Sequence, residues 1–198
     1  RDTYIVQDDA SFHPSWFRSE VKTIDLKSWQ QLELNPDIDR VILPETFITV
    51  LQRYAPSVPK IIFNQNSSYT FGLLNTQKPI SPSFVAKAYN SDIVSSVFCV
   101  SSYDRNFLVN GLGLASAKVH LIVNAIETEL FKPSKIKKKQ IIYMPRKNKK
   151  DSTIVTQLLL NRGLPKGWAI KSLDSCSHEE VARHMSESLI FLSFGHPE

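Results

Sequence analysis

The sequence predicts an α/β protein whose parallel sheets are covered by helices and whose chain is divided into two domains. Three observations carry this. Short apolar runs rich in Val, Ile, Phe and Tyr alternate with polar segments of helical length. The helical segments open on Ser or Thr, and three of the four close on Gly or Pro. Between residues 124 and 140, Asn, Pro133 and a run of charge separate two strand-like segments, which is the composition of an interdomain connection.

Taken in order, the expected strands are 3–6 (TYIV), 40–43 (RVIL), 60–63 (KIIF), 93–100 (IVSSVFCV), 119–123 (VHLIV), 140–144 (QIIYM), 168–173 (WAIKSL) and 189–194 (LIFLSF). The expected helices are 46–54, closed by Pro56; 101–110, closed by Gly111; 152–161, closed by Gly163; and 177–186. Ser101 with Asp104 supplies a cap and a first-turn acid. Ser177 with Glu180 three residues later makes a capping box. The domains expected are 1–127 and 128–198, the first without its start and the second incomplete. The chain opens at Arg1 and stops at Glu198 directly after a strand, so it reads as a fragment of a longer protein.

At 198 residues and 42% hydrophobic, the chain has the apolar material for real cores. Its longest uncharged apolar run, 93–100, is far too short to cross a bilayer, and no secretory leader is visible. The expected location is the cytoplasm. Cys99 and Cys176 match neither a zinc site nor a redox pair and read as reduced thiols. Asn66-Ser67-Ser68 fits a glycosylation acceptor, which has no use without a leader.

Charge is concentrated. Net charge is +5, yet nine Lys and Arg and no acid lie between Lys132 and Lys150, so the remainder of the chain sums to −4. Residues 135–139 (KIKKK) read as a solvated linker. Arg146, Lys149 and Lys150 are different, because they follow an apolar strand, and ligands of open α/β sheets collect at the carboxyl ends of such strands. Ser152-Thr153 is expected to open a helix there, adding its N-terminal dipole to the attraction for an anion. With six glycines and no Walker loop or dinucleotide fingerprint, phosphates have to be held by side chains: Arg146 bidentately, a lysine as a point charge.

Other candidates are weaker. Glu198, after strand 189–194, can accept hydroxyl hydrogen bonds from a sugar, or is an ordinary loop acid. His196 beside it reads either as a site residue or as a solvent-facing one. The cluster 64–69 (NQNSSY), including Asn64 and Asn66, suits a neutral polyhydroxylated ligand, or is an Asn- and Ser-rich turn needing no ligand. Asp8, Asp9 and His13 lack further spaced ligands, and no metal site is expected.

Three passages in sequence resemble the retaining GT-B glycosyltransferases, the large nucleotide-sugar-dependent group that includes bacterial mannosyl- and glucosyltransferases. Residues 100–133 (VSSYDRNFLVNGLGLASAKVHLIVNAIETELFKP) resemble the group's VS…G-x-x-x-x-K-V-x-V-I-P-N-G-V-D-x-x-x-F passage, with Asn124 and Phe131 at its Asn and Phe. Residues 144–151 (MPRKNKKD) resemble the G-R-x-x-x-x-K strand and loop, with Arg146 on the Arg and Lys149 or Lys150 on the Lys. Residues 188–198 (SLIFLSFGHPE) resemble the strand ending in the E-x7-E motif, with Glu198 on its first Glu. Asn-Ala-Ile-Glu replaces Asn-Gly-Val-Asp at 124–127, and Met144-Pro145 stands where a Gly is usual.

The resemblance implies two Rossmann-like domains of GT-B type. It implies a nucleotide-diphosphate sugar gripped by Arg146, Lys149 and Lys150, with Glu198 contacting donor-sugar hydroxyls as the catalytic-site residue. Asn64, Asn66, Asn124 and His196 would line the donor and acceptor cleft. It implies a glycan, lipid-linked or small-molecule acceptor and transfer with retention, without metal or other cofactor. A weaker compromise between this and the rival expectation is that the lysines of 132–150 hold such an enzyme near anionic lipid, peripherally at the inner face of the membrane. The rival expectation is a module binding nucleic acid or an anionic surface through 132–150; nucleic acid is disfavoured, because Tyr143 is the only aromatic in that stretch and sits on a buried strand.

Overall fold

A computed structural model describes residues 2–14, 19–72, 79–146 and 148–194. The chain divides into two compact units. Among the described residues, the first comprises those up to Ala10 and Thr23–Asn124; the second comprises those of Ser11–Lys22 and 125–194. Both major sheets are parallel, so the α/β class expected from strand and helix alternation is observed.

The first unit is built on a four-stranded parallel sheet in the order β3 (Val41–Pro44), β4 (Lys60–Asn64), β5 (Val94–Cys99), β6 (Val119–Leu121). Parallel strands are covered on both faces, and β4 shows this in its near-continuous apolar run KIIF, with Ile62 fully buried. Strands β1 (Tyr4–Val6) and β2 (Lys22–Ile24) form a separate two-stranded ribbon outside this sheet. Between β2 and β3 lies a short helix, α1 (Leu26–Gln30), capped by Asp25.

Connections in the first unit depart from the expected helices in informative ways. Residues 46–54 form a 3₁₀ segment, Glu45–Arg53, broken at Val50 (φ −128°, ψ 24°), in place of a regular helix. Its amphipathic pattern is kept, and Ile48 and Leu51 enter the core. The expected helix 101–110 is split into α3 (Ser102–Asn106) and a π turn, Phe107–Gly111, which buries Leu108. Ser101 caps α3 as anticipated, accepting the Asp104 N–H at 3.0 Å. Helix α2 (Pro82–Tyr89) was not anticipated, although Ser81 at the cap and Pro82 at the first position are its signature. Its Val85 and Tyr89, four residues apart on one face, are both fully buried.

In the second unit, three parallel strands lie in the order β8 (Ala169–Ser172), β7 (Lys138–Tyr143), β9 (Ser188–Leu192). Helix α4 (Lys149–Arg162) joins β7 to β8, and α5 (His178–Glu187) joins β8 to β9. The capping box of α5 forms: Ser177 Oγ accepts the Glu180 N–H at 3.2 Å, and Glu180 accepts the Ser177 N–H at 2.9 Å. Helix α4 starts three residues before the expected Ser152, because Asn148 is the cap that closes on Asp151. Its apolar residues are not its buried face. Ser152 and Thr156 are buried, their hydroxyls returned to the carbonyls of Lys149 and Ser152, while Ile154 and Leu158 are about half exposed.

No described helix is long and apolar enough to cross a membrane. Cys99 and Cys176 are free thiols, and burial pushes the Cys99 thiol up.

Candidate functional site

The strand-to-helix junction of the second unit follows from its topology. The chain leaves β7 toward β8 on one side and returns past it to β9 on the other, so strand order reverses at β7. Right-handed crossovers put α4 and α5 on opposite faces of such a sheet, and a crevice opens at the carboxyl ends where the order reverses. The three carboxyl ends are level there: Tyr143 is in register with Ser172 on one side and Leu192 on the other. The Leu173 N–H bonds the Tyr143 carbonyl at 2.8 Å, and the Phe194 ring meets the Tyr143 ring edge-on at 6.1 Å.

Arg146, Lys149 and Lys150 are set at this rim, all exposed. Arg146 lies in the turn after β7. The two lysines, expected in a loop, occupy instead the first turn of α4. Their side chains have no hydrogen bond or ion pair with other described residues. Lys147 lies outside the described residues.

Cations in the first turn oppose the helix dipole, whose positive end is there. Asp151 offsets part of this, receiving the Asn148 amide N–H at 2.7 Å while its own N–H is taken by Asn148 Oδ1. The Ser152 N–H reaches the Asn148 carbonyl. That leaves the backbone N–H groups of Lys149 and Lys150 as the first-turn donors without an intrahelical acceptor. Two backbone donors and three cations, the latter without a bond to other described residues, therefore lie at one strand-to-helix junction, a composition suited to a multiply charged oxyanion.

The lysine run before β7 is used differently. Lys137 Nζ donates to the Ser186 carbonyl at 2.5 Å, and Lys138 pairs with Glu187, whose carboxyl is held below its ordinary range by that bond. Those two lysines fasten the amino end of β7 to α5.

The carboxyl rim of the first unit holds a second polar cluster. Asn64, at the end of β4, is fully buried, and its Nδ2 donates to Tyr89 OH at 2.8 Å and Thr70 Oγ1 at 3.1 Å. Burial pushes the Tyr89 phenol up to about 12. Asn66 is half buried and caps the 3₁₀ turn Ser67–Phe71, accepting the Ser68 N–H at 2.9 Å; Gly72 closes the turn at φ 78°. Asn124, beyond β6, is exposed. Glu198 and His196 lie outside the described residues.

Two carboxyls complete this rim that sequence reasoning did not place there. Glu45 follows β3 directly, is 2% exposed, and accepts the Asn66 N–H at 3.2 Å on Oε1. Asp104, also 2% exposed, accepts from Ser67 and Ser101. Asp104 is visible in the sequence only as a helix-capping acid; the Pro44-Glu45 step directly after a strand was the available signal for Glu45. No described group of three or more His, Cys, Asp or Glu side chains is arranged to hold a metal ion. No family model matches the chain, and no curated protein matches it.

Proposed function

We propose that the chain is a glycosyltransferase, or part of one, of the retaining GT-B kind, and that the rim of its second unit grips the diphosphate of a nucleotide-sugar donor. The observation that carries this is the set of unpaired cations Arg146, Lys149 and Lys150 at a helix N-terminus beyond the central strand β7. A helix start that concentrates positive charge against its own dipole costs local stability, and a bound pyrophosphate reverses that cost. As the glycosidic bond to the donor breaks, negative charge develops on the leaving diphosphate. Fixed cations and backbone N–H groups stabilise it more than they stabilise the ground state. Glu198 would contact donor-sugar hydroxyls, and the polar rim containing Asn64 and Asn66 belongs to the acceptor-side domain in this reading.

Binding of nucleic acid or an anionic surface through 132–150 is the less supported reading, since Lys137 and Lys138 are engaged with Ser186 and Glu187. Calorimetric titration of the chain with UDP- and GDP-sugars tests the proposal. Arg146→Ala is expected to weaken binding by about tenfold or more, the worth of a charge-assisted bond of roughly 1.5–3 kcal/mol. Equal affinity in the two proteins contradicts it.

A further inference from the structure

We propose that Glu45 is a buried proton-holding site, a neutral carboxylic acid whose ionisation releases the turn Ser67–Phe71 from the rim of the first unit. The inference concerns that unit alone and stands apart from the reading of the second unit's rim.

Two carboxyls share this rim in unequal surroundings. Asp104 has its charge satisfied: Oδ1 takes the Ser67 N–H at 3.1 Å and the Ser67 hydroxyl at 2.5 Å, and Oδ2 takes the Ser101 hydroxyl at 2.7 Å. Glu45 takes the Asn66 N–H on Oε1, with its own and the Gln65 backbone N–H also directed at the carboxyl; its Oε2 is buried with no partner. A second buried acceptor, Asn64 Oδ1, is also without a partner, at the end of the adjacent strand. A rim with surplus buried acceptors is short of a proton donor. Protonating Oε2 converts one surplus acceptor into a donor. Of two carboxyls so unequally supplied with donors, the one whose oxygen has none is where a proton is best held.

Burial raises Glu45 above its ordinary value; the backbone N–H groups of Glu45, Gln65 and Asn66 oppose this only in part, and the neighbouring Asp104 charge adds to it. The other titratable groups facing the cluster do not offset it. Tyr89 on α2 is neutral, and the thiol of Cys99 at the end of β5 is pushed up by burial. The Arg105 guanidinium on α3 is bonded to the Ser116 hydroxyl at 2.7 Å.

When hydroxide removes the Oε2 proton, forming water, a carboxylate whose Oε2 has no donor is left buried near Asp104. A buried charge in that state has to reach water. The Asn66 N–H bond is what ties Glu45 to the turn, so opening there exposes Asn64, Thr70 and Tyr89.

The test combines infrared spectroscopy with amide hydrogen exchange on the full chain across pH. Wild type is expected to show the carbonyl band of an un-ionised carboxylic acid above the range where ordinary carboxyls titrate, absent in Glu45→Gln. Exchange at Asn66–Ser68 should accelerate with pH beyond the intrinsic hydroxide-catalysed rate in wild type and not in Glu45→Gln. In Asp104→Asn the onset should move to lower pH, because the like charge is gone. Within wild type, loss of the band and onset of exchange must coincide, so the proposal is decided even if a variant does not fold. Absence of such a band, or identical exchange in wild type and Glu45→Gln, overturns it.

Discussion

Asp104 Oδ1 receives both the backbone N–H of Ser67, at 3.1 Å, and its hydroxyl, at 2.5 Å, across 37 residues of sequence. One carboxylate oxygen therefore fixes the start of a 3₁₀ turn to the first turn of α3. Both residues are buried, so neither partner can exchange this contact for water.

Asp104→Ala leaves two Ser67 donors and the Ser101 hydroxyl without their acceptor. The expected loss is about 1–3 kcal/mol of unfolding free energy. Chemical denaturation should show the double variant Asp104→Ala/Ser67→Ala to be less destabilised than the two single losses added together, since the contact can be lost only once.

Helix α4 buries the hydroxyl residues Ser152 and Thr156, so its exposed apolar positions carry little. Leu158→Gln is expected to change stability by no more than about 0.5 kcal/mol. Ile142→Ala, at a fully buried position of β7, should cost about 2–5 kcal/mol. Denaturant midpoints distinguish the two.

The Lys171 ammonium lies 2.7 Å from His184 Nε2, and His184 is 7% exposed. That nitrogen serves as an acceptor only while unprotonated. Burial first, then the Lys171 and Arg183 charges, hold His184 below its ordinary value of 6.5. In the folded state His184 thus binds fewer protons than in the unfolded state, over the interval from its folded value up to 6.5. Stability rises with pH there and is lost as pH falls through it. Unfolding midpoints between neutral and acid pH should show a component that His184→Gln removes; an unchanged pH profile in that variant counts against it.

Strands were legible because β-branched and aromatic runs such as KIIF and QIIY have few alternatives to a buried parallel strand. The capping box at Ser177 was legible because both of its partners lie within four residues. Helix α4 was recognised but its start was misplaced: Asn148, Ser152 and Thr153 are all competent caps, and the choice was made by Asp151 closing on Asn148. The basic rim was announced by the change from QIIYM to RKNKK. The rim of the first unit was legible only in part. Asn64 and Asn66 stood out as a polar cluster, but Glu45 reaches Asn66 from 21 residues away and Asp104 reaches Ser67 from 37, and no local pattern encodes such contacts.

Most directly at issue is whether a diphosphate seats on the first turn of α4. Titrating the isotopically labelled chain with a nucleoside-diphosphate sugar and following backbone amide shifts measures this residue by residue. The largest shifts are expected at Lys149 and Lys150, whose N–H groups lack intrahelical acceptors, and they should collapse in Arg146→Ala. Shifts centred elsewhere, or none at saturating ligand, would contradict the account.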